Sequence, residues 1–118
     1  SGLYLTAEQL SRFGQLILDR GSWKGKQIIP SGYIELATSP QIGTSEFTPY
    51  FATEDHQQGY GYQLWMNSYP GSCRMDGLYG QYAVILPDKN AVVTYISNEQ
   101  KNMVGILELT WKTLIDKL

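Results

Sequence analysis

Apolar and polar positions change period several times along this chain. From Thr6 to Asp19 the apolar residues Leu10, Phe13, Leu16 and Ile17 recur at helical intervals, which predicts an amphipathic helix. Thr6 followed by Gln9 forms a T-x-x-Q capping box at its start, and Gly21 supplies a left-handed residue at its end. Ser22 to Gln27 reads as a polar turn carrying Trp23. Pro30 suits the first turn of a second helix, Ser31 to Thr38, which Pro40 stops. From Gln41 to Gly59 neither period is present, so an irregular loop is expected, of the kind that is often functional.

The period then becomes two. Tyr60 to Met66 (YGYQLWM) alternates, Asn67 to Ser72 is a turn, and Cys73 to Met75 is a short strand. Gln81 to Leu86 and Ala91 to Ile96 are the strongest strands, joined through PDKN as a hairpin. Both are almost continuously apolar, so both faces of the sheet should be covered. The last segment, Lys101 to Leu118, returns to helical spacing through Met103, Ile106, Leu107, Trp111, Leu114 and Leu118. The order predicts an α+β fold, an antiparallel β-sheet with flanking helices.

Composition narrows the chemistry. A chain of 118 residues has the length of one unit with one modest core. Its net charge is −2, and Lys24 with Lys26 is its nearest approach to a basic cluster, so no nucleic-acid partner is expected. One cysteine excludes an internal disulfide and a Cys-based zinc site, and one histidine weakens any metal or Ser-His-Asp proposal. No metal and no cofactor is therefore expected. No apolar run approaches the ~20 residues of a membrane span, and no signal peptide is expected. The opening SGLYLTAEQL reads like protein interior, and the compartment stays open between periplasm and cytoplasm.

Each chemical candidate has a plainer reading beside it. His56, in EDHQQ, reads as a solvated loop histidine before it reads as a proton-transfer or metal group. Asp76 is a general acid or base, or an Asx-type turn residue bonding nearby N–H groups. Cys73 is a reactive thiol or a buried strand cysteine. Lys112-Thr113 reads as helix surface. Tyr60, Tyr62, Trp65 and Tyr69 line a pocket or pack a core. Gly77 and Gly80, in MDGLYGQY, mark a turn or bulge, or a backbone that must approach a reacting group. No Ser-x-x-Lys, Tyr-x-Asn, Ser-x-Asn or Gly-x-Ser-x-Gly occurs.

Several stretches recur together in one family. Gly2, Leu3, Thr6 and Ala7, then Gln9, Leu10, Arg12, Phe13 and Gly14, then Gly21, Trp23, Gly25, Lys26 and Ile28 resemble a helix and loop late in serine β-lactamase-like hydrolases. GYGYQLW and MDGLYGQYAVILPDKNAVVTYIS resemble two later segments of the same proteins. The family includes class C β-lactamases, penicillin-binding proteins, esterases and 6-aminohexanoate-dimer hydrolases. The Gly-x-x-Gly-Gln variant is most similar to the last group and its esterase relatives. Only Gln41 to Gln58 departs from the pattern.

The resemblance implies a C-terminal segment of a bacterial β-lactamase-like enzyme, starting after the Ser-x-x-Lys and the tyrosine base. Its partners would be the N-terminal part of the same enzyme and a small ester or amide substrate. The chain alone would be inactive. Met75-Asp76-Gly77 falls where the family carries Lys/His-Thr/Ser-Gly, and lacks both the basic residue and the hydroxyl. That counts against recognition of a β-lactam carboxylate. The resemblance assigns the Leu78 N–H to half of an oxyanion hole. It assigns Asp76, Gly77, Tyr79, Gln81, Tyr60 and Trp65 to the walls of the pocket. The alternative is a non-catalytic ligand- or protein-binding module using Tyr60, Trp65 and Tyr79.

Overall fold

The computed structural model describes residues 2–46 and 53–118; residues 47–52 of the expected irregular loop lie outside them. Helix α1 spans Ala7–Leu18, with the capping box formed in both directions between Thr6 and Gln9. Gly21 ends the helical region at φ +86°. What reads as a polar turn is a minimal hairpin, β1 (Ser22–Trp23) against β2 (Lys26–Gln27). Helix α2 covers Ser31–Ala37 behind Pro30. The described part of the irregular stretch includes a 3-10 turn, Glu54–His56.

The main sheet is a four-stranded antiparallel meander in the order β3 (Trp65–Met66), β4 (Cys73–Gly77), β5 (Gln81–Leu86) and β6 (Ala91–Tyr95). The hairpin through PDKN turns on a 3-10 turn, Pro87–Lys89, and on Asn90 in the left-handed region. Strand β3 is shorter than the alternation of YGYQLWM predicts. The Gly61 N–H bonds the Leu64 carbonyl at 2.7 Å, and Gln63 sits at φ +62°. That tight turn takes the first half of the segment out of the ladder, leaving Tyr60 bridged to Ile42 and Trp65. Because β3 pairs with Arg74 and Cys73, residues Met75 to Gly77 of β4 form a sheet edge with no strand beside it among the described residues.

β5 organises both cores. Ile85 faces a cluster with Ile17, Ile34, Ala37, Leu64, Met66 and Cys73 under α1 and α2. Its alternate residues Tyr82, Val84 and Leu86 face Leu107 and Ile115 on the other side, as the two-residue period of a strand requires. Burying each large aliphatic side chain contributes roughly 1.5–3 kcal/mol. Helix α1 reaches the sheet through Gly14, where an added Cβ would lie 2.6 Å from Val92 Cγ1. The expected stripe of α1 is consequently split: Ile17 is buried, whereas Phe13 is 44% exposed and shares a shallow groove with Leu16, Trp23 and Ile28.

The C-terminal segment departs most from its periodicity. It is α-helical only over α3 (Gly105–Leu109), then π-helical over Thr110–Leu114 and 3-10 over Ile115–Lys117. Thr110 is fully buried, its hydroxyl 2.7 Å from the Tyr95 hydroxyl. The wider π turn rotates the following residues, so Ile115 enters the core while Leu118 is 48% exposed. Among the described residues, no helix is long and apolar enough to cross a membrane.

Candidate functional site

The free edge of β4 ends in a three-residue turn, Leu78–Tyr79–Gly80, between the register partners Gly77 and Gln81. Tyr79 and Gly80 both take positive φ, +65° and +80°. For tyrosine this is an unusual conformation, and two contacts from the following loop hold it. The Tyr79 N–H points at Met103 Sδ at 2.9 Å, and its carbonyl accepts the Glu99 N–H at 3.0 Å. Gly80 has no room for a side chain, since a Cβ would stand 2.5 Å from Ile106 Cδ1. The turn is therefore fixed from both sides, and it fixes Leu78. The Leu78 N–H donates to no described residue, and its side chain is exposed.

Beside it lies a cavity of about 300 Å³ lined by His56, Trp65, Asp76, Gly77, Leu78, Tyr82, Met103 and Val104. Of the residues the sequence singles out, Trp65, Asp76, Gly77 and Leu78 come together here. Tyr60 stands behind Trp65, edge to face at 4.9 Å between ring centres. Tyr79 and Gln81 are not on the wall. Gln81 instead turns its amide to the Ser97 carbonyl, and an added Cβ at Gly77 would press to 3.0 Å on Gln81 Cβ. His56, Tyr82 and Met103 are wall residues that the sequence did not assign to the site.

Two expectations are corrected. His56 is not solvated: it is 7% exposed, with Nδ1 2.7 Å from Thr53 Oγ1 and its ring edge-on to Trp65 at 5.3 Å. The 3-10 turn folds it inward. Asp76 is not an Asx-turn residue: it lies within β4, and its Oδ2 accepts Arg74 Nε at 2.9 Å and stands 3.8 Å from His56 Nε2. Cys73, by contrast, is the buried strand cysteine, its thiol pushed up to about 12 by burial.

Arg74 was missed altogether. Its side chain is fully buried, and Nη1 donates to the Asp55 carbonyl (3.1 Å), the Met66 carbonyl (3.0 Å) and Asn67 Oδ1 (2.8 Å). Its Nη2 is buried without a hydrogen-bond partner among the described residues. Asp55 is buried too, accepting from the Ser68 N–H and hydroxyl and from Trp111 Nε1 at 2.8–2.9 Å. The available signal was the i, i+2 pair Arg74 and Asp76, which a strand puts on one face.

These surroundings set the proton positions. Burial lowers the His56 pKa first, the Arg74 charge lowers it further, and Asp76 and Asp55 oppose both. The imidazole is thus biased toward its neutral form. Burial pushes the Tyr82 phenol up to about 12, with Asp76 acting in the same direction, so Tyr82 stays protonated and donates to the Met103 carbonyl at 3.2 Å. The cavity wall thus brings together Leu78, the Asp76 carboxylate, the His56 imidazole and the Trp65 ring. Among the described residues no group of three or more His, Cys, Asp or Glu side chains is placed to hold a metal.

The sequence matches the family described as Beta-lactamase over residues 1–114. None of the curated proteins matches the chain. Among solved structures it is similar to a Bacillus anthracis protein described as a 6-aminohexanoate-dimer hydrolase, at 29% identity and TM-score 0.68. That match covers 95% of this chain and 28% of the other. A penicillin-binding protein homolog from Caulobacter crescentus shares the fold at 19% identity and TM-score 0.65, over 82% of this chain and 27% of its own. The chain thus spans less than a third of the length of either structure.

Proposed function

From the premise that the chain belongs to the Beta-lactamase family, we propose that it is the C-terminal segment of a larger serine hydrolase domain. The whole enzyme forms an acyl-enzyme with an ester or amide and hydrolyses it. The observation that supports this reading is Leu78, which lines the cavity next to the Tyr79–Gly80 turn and whose N–H donates to no described residue. Such a donor stabilises the oxyanion of a tetrahedral intermediate, and losing one typically costs ~100- to 1000-fold in rate. The second donor and the nucleophile come from the N-terminal part of the same protein, since this sequence contains no Ser-x-x-Lys. Alone, the segment has the donor and the pocket wall but nothing to acylate.

Intact-mass labelling with a fluorophosphonate and with a fluorescent penicillin tests this on the chain and on the full-length protein. The expected result is a fluorophosphonate adduct on the full-length protein only. An adduct on a serine of this chain, or none on either, overturns the reading. The missing Lys/His-Thr/Ser pair before Gly77 leads to weak penicillin labelling at best.

A further inference from the structure

Met103 is where the loop after β6 grips the β4–β5 turn. Its backbone is fixed on both sides. The Met103 carbonyl accepts the Tyr82 hydroxyl at 3.2 Å, and the Glu99 carboxylate accepts the Lys101 and Asn102 N–H groups just before it, at 2.7 and 3.0 Å. From that seat the Met103 thioether accepts the Tyr79 N–H, with 2.9 Å between sulfur and nitrogen. Tyr79 needs the tie, because φ +65° is disfavoured for any residue with a β-carbon. The three methionines differ in access. Met66 is 7% exposed and lies in the core. Met75 and Met103 are both partly exposed, but Met75 packs against the core under α1, whereas Met103 lines the cavity of about 300 Å³. A thioether that solvent can reach is open to peroxide oxidation, which turns a soft apolar group into a polar, chiral sulfoxide.

We propose that Met103 is an oxidation site for hydroperoxides, and that its sulfoxide releases the Tyr79 turn and displaces Leu78 with it. The effect on rate rests on the hydrolase reading; the release of the turn does not. With hydrogen peroxide, one oxygen forms a bond to Sδ as the O–O bond breaks. The thioether gives up two electrons, and the proton of the transferred hydroxyl goes to the departing hydroxide, which leaves as water. Neither placement of the new oxygen preserves the contact. On the Tyr79 side, the 2.9 Å between sulfur and nitrogen leaves no room for another atom. On the cavity side, the sulfur keeps its place but gains positive charge, and then faces an N–H of the same sign.

Hydrogen peroxide treatment of the full-length protein tests this, with Met103→Leu and Met75→Leu alongside and sulfoxides located by peptide mass mapping. The expected result is a sulfoxide at Met103, faster hydrogen exchange at the Tyr79 amide, and a lower kcat on p-nitrophenyl butyrate. The fall should be at least about tenfold, bounded by the ~100- to 1000-fold cost of a lost oxyanion donor. Methionine sulfoxide reductases A and B with a dithiol, which return the thioether and release water, should restore both exchange and rate. Met75→Leu should stay sensitive to peroxide. Met103→Leu should lose no further activity in it, whatever its starting rate. No sulfoxide at Met103, while an added methionine peptide is oxidised, overturns the proposal. So does a Met103 sulfoxide that leaves Tyr79 exchange unchanged or, in an active enzyme, leaves kcat unchanged. A loss of rate that persists in Met103→Leu overturns it as well. If no ester is turned over before oxidation, the hydrolase reading falls and Tyr79 exchange alone decides: faster exchange in the sulfoxide supports the release of the turn, and unchanged exchange overturns it.

Discussion

Arg74 Nε donates to Asp76 Oδ2 at 2.9 Å across a single intervening residue of β4, joining a fully buried cation to the one carboxylate that reaches the cavity. The pair links the core to the site, so its two members should not behave independently. Removing one partner of a buried pair leaves the other uncompensated, at a cost of about 3–5 kcal/mol. Arg74→Ala is expected to fall in that range by urea denaturation of the full-length protein. Asp76→Ala should cost less, because Asp76 retains some water. The double variant should be less destabilised than the sum of the two, with a coupling of roughly 0.5–3 kcal/mol. Additive losses would show that the contact carries no energy.

His56 gives stability a pH dependence. Its pKa in the folded protein lies below the ordinary value of 6.5, so between the two values the unfolded chain binds more protons than the folded one. Stability then rises with pH through that window. The His56 contribution is complete above 6.5 and is lost as pH falls through the folded value. Denaturation midpoints measured from about pH 8 down to pH 5 should decline on the acid side, and His56→Gln should flatten that limb. An unchanged slope in the variant would assign the decline to other groups.

Cys73 should be inert in the native state. The residue is 3% exposed and burial pushes its thiol up to about 12, so the thiolate that reacts with a maleimide is scarce at neutral pH. Labelling should be absent in buffer and complete in denaturant. Rapid native labelling would mean that the α1–sheet core opens locally.

Leu78 is expected to act through its backbone. Leu78→Pro removes the N–H and should lower kcat by ~100- to 1000-fold. Leu78→Ala, which trims an exposed side chain and keeps the donor, should lose far less. Equal losses in steady-state assays of the full-length protein would argue that the side chain, not the donor, matters.

Two helical glycines should respond oppositely to alanine. Gly32, in α2, has nothing within 4 Å of an added Cβ, so Gly32→Ala should raise stability by up to about 1 kcal/mol. In α1 the same gain at Gly14 meets Val92 Cγ1 at 2.6 Å, and overpacking of that kind costs about 1–3 kcal/mol. Gly14→Ala should therefore be neutral to destabilising. Thermal denaturation of the two variants side by side distinguishes them.

These residues also show how far the sequence can be read. The capping box of α1, the end of α2 near Pro40 and the β5–β6 hairpin were legible, because each depends on residues within a few positions of one another. β3 was overestimated, since the local tight turn at Gly61 and Gln63 overrides an alternation that still looks like a strand. The π turn at Thr110–Leu114 was hidden for the opposite reason: it begins where Thr110 meets Tyr95, a tertiary contact. The cavity was half legible. Trp65, Asp76, Gly77 and Leu78 line it together, but the partners of Arg74 and Asp55 beneath it are distant in sequence. Arg74 bonds the Asp55 carbonyl across 19 positions, and Trp111 bonds Asp55 across 56. A periodicity argument has no access to such pairs.

The seat of α1 on the sheet at Gly14 and Val92 joins residues 78 positions apart. During synthesis at about 5–20 residues per second, roughly 4–16 s separate the appearance of the helix from that of the strand it covers. Through that interval the apolar side of α1 lacks strands β5 and β6 to lie on, and exposed apolar surface of that kind is open to chaperones. Slowing elongation between the two would lengthen the exposure without altering a single contact of the finished structure.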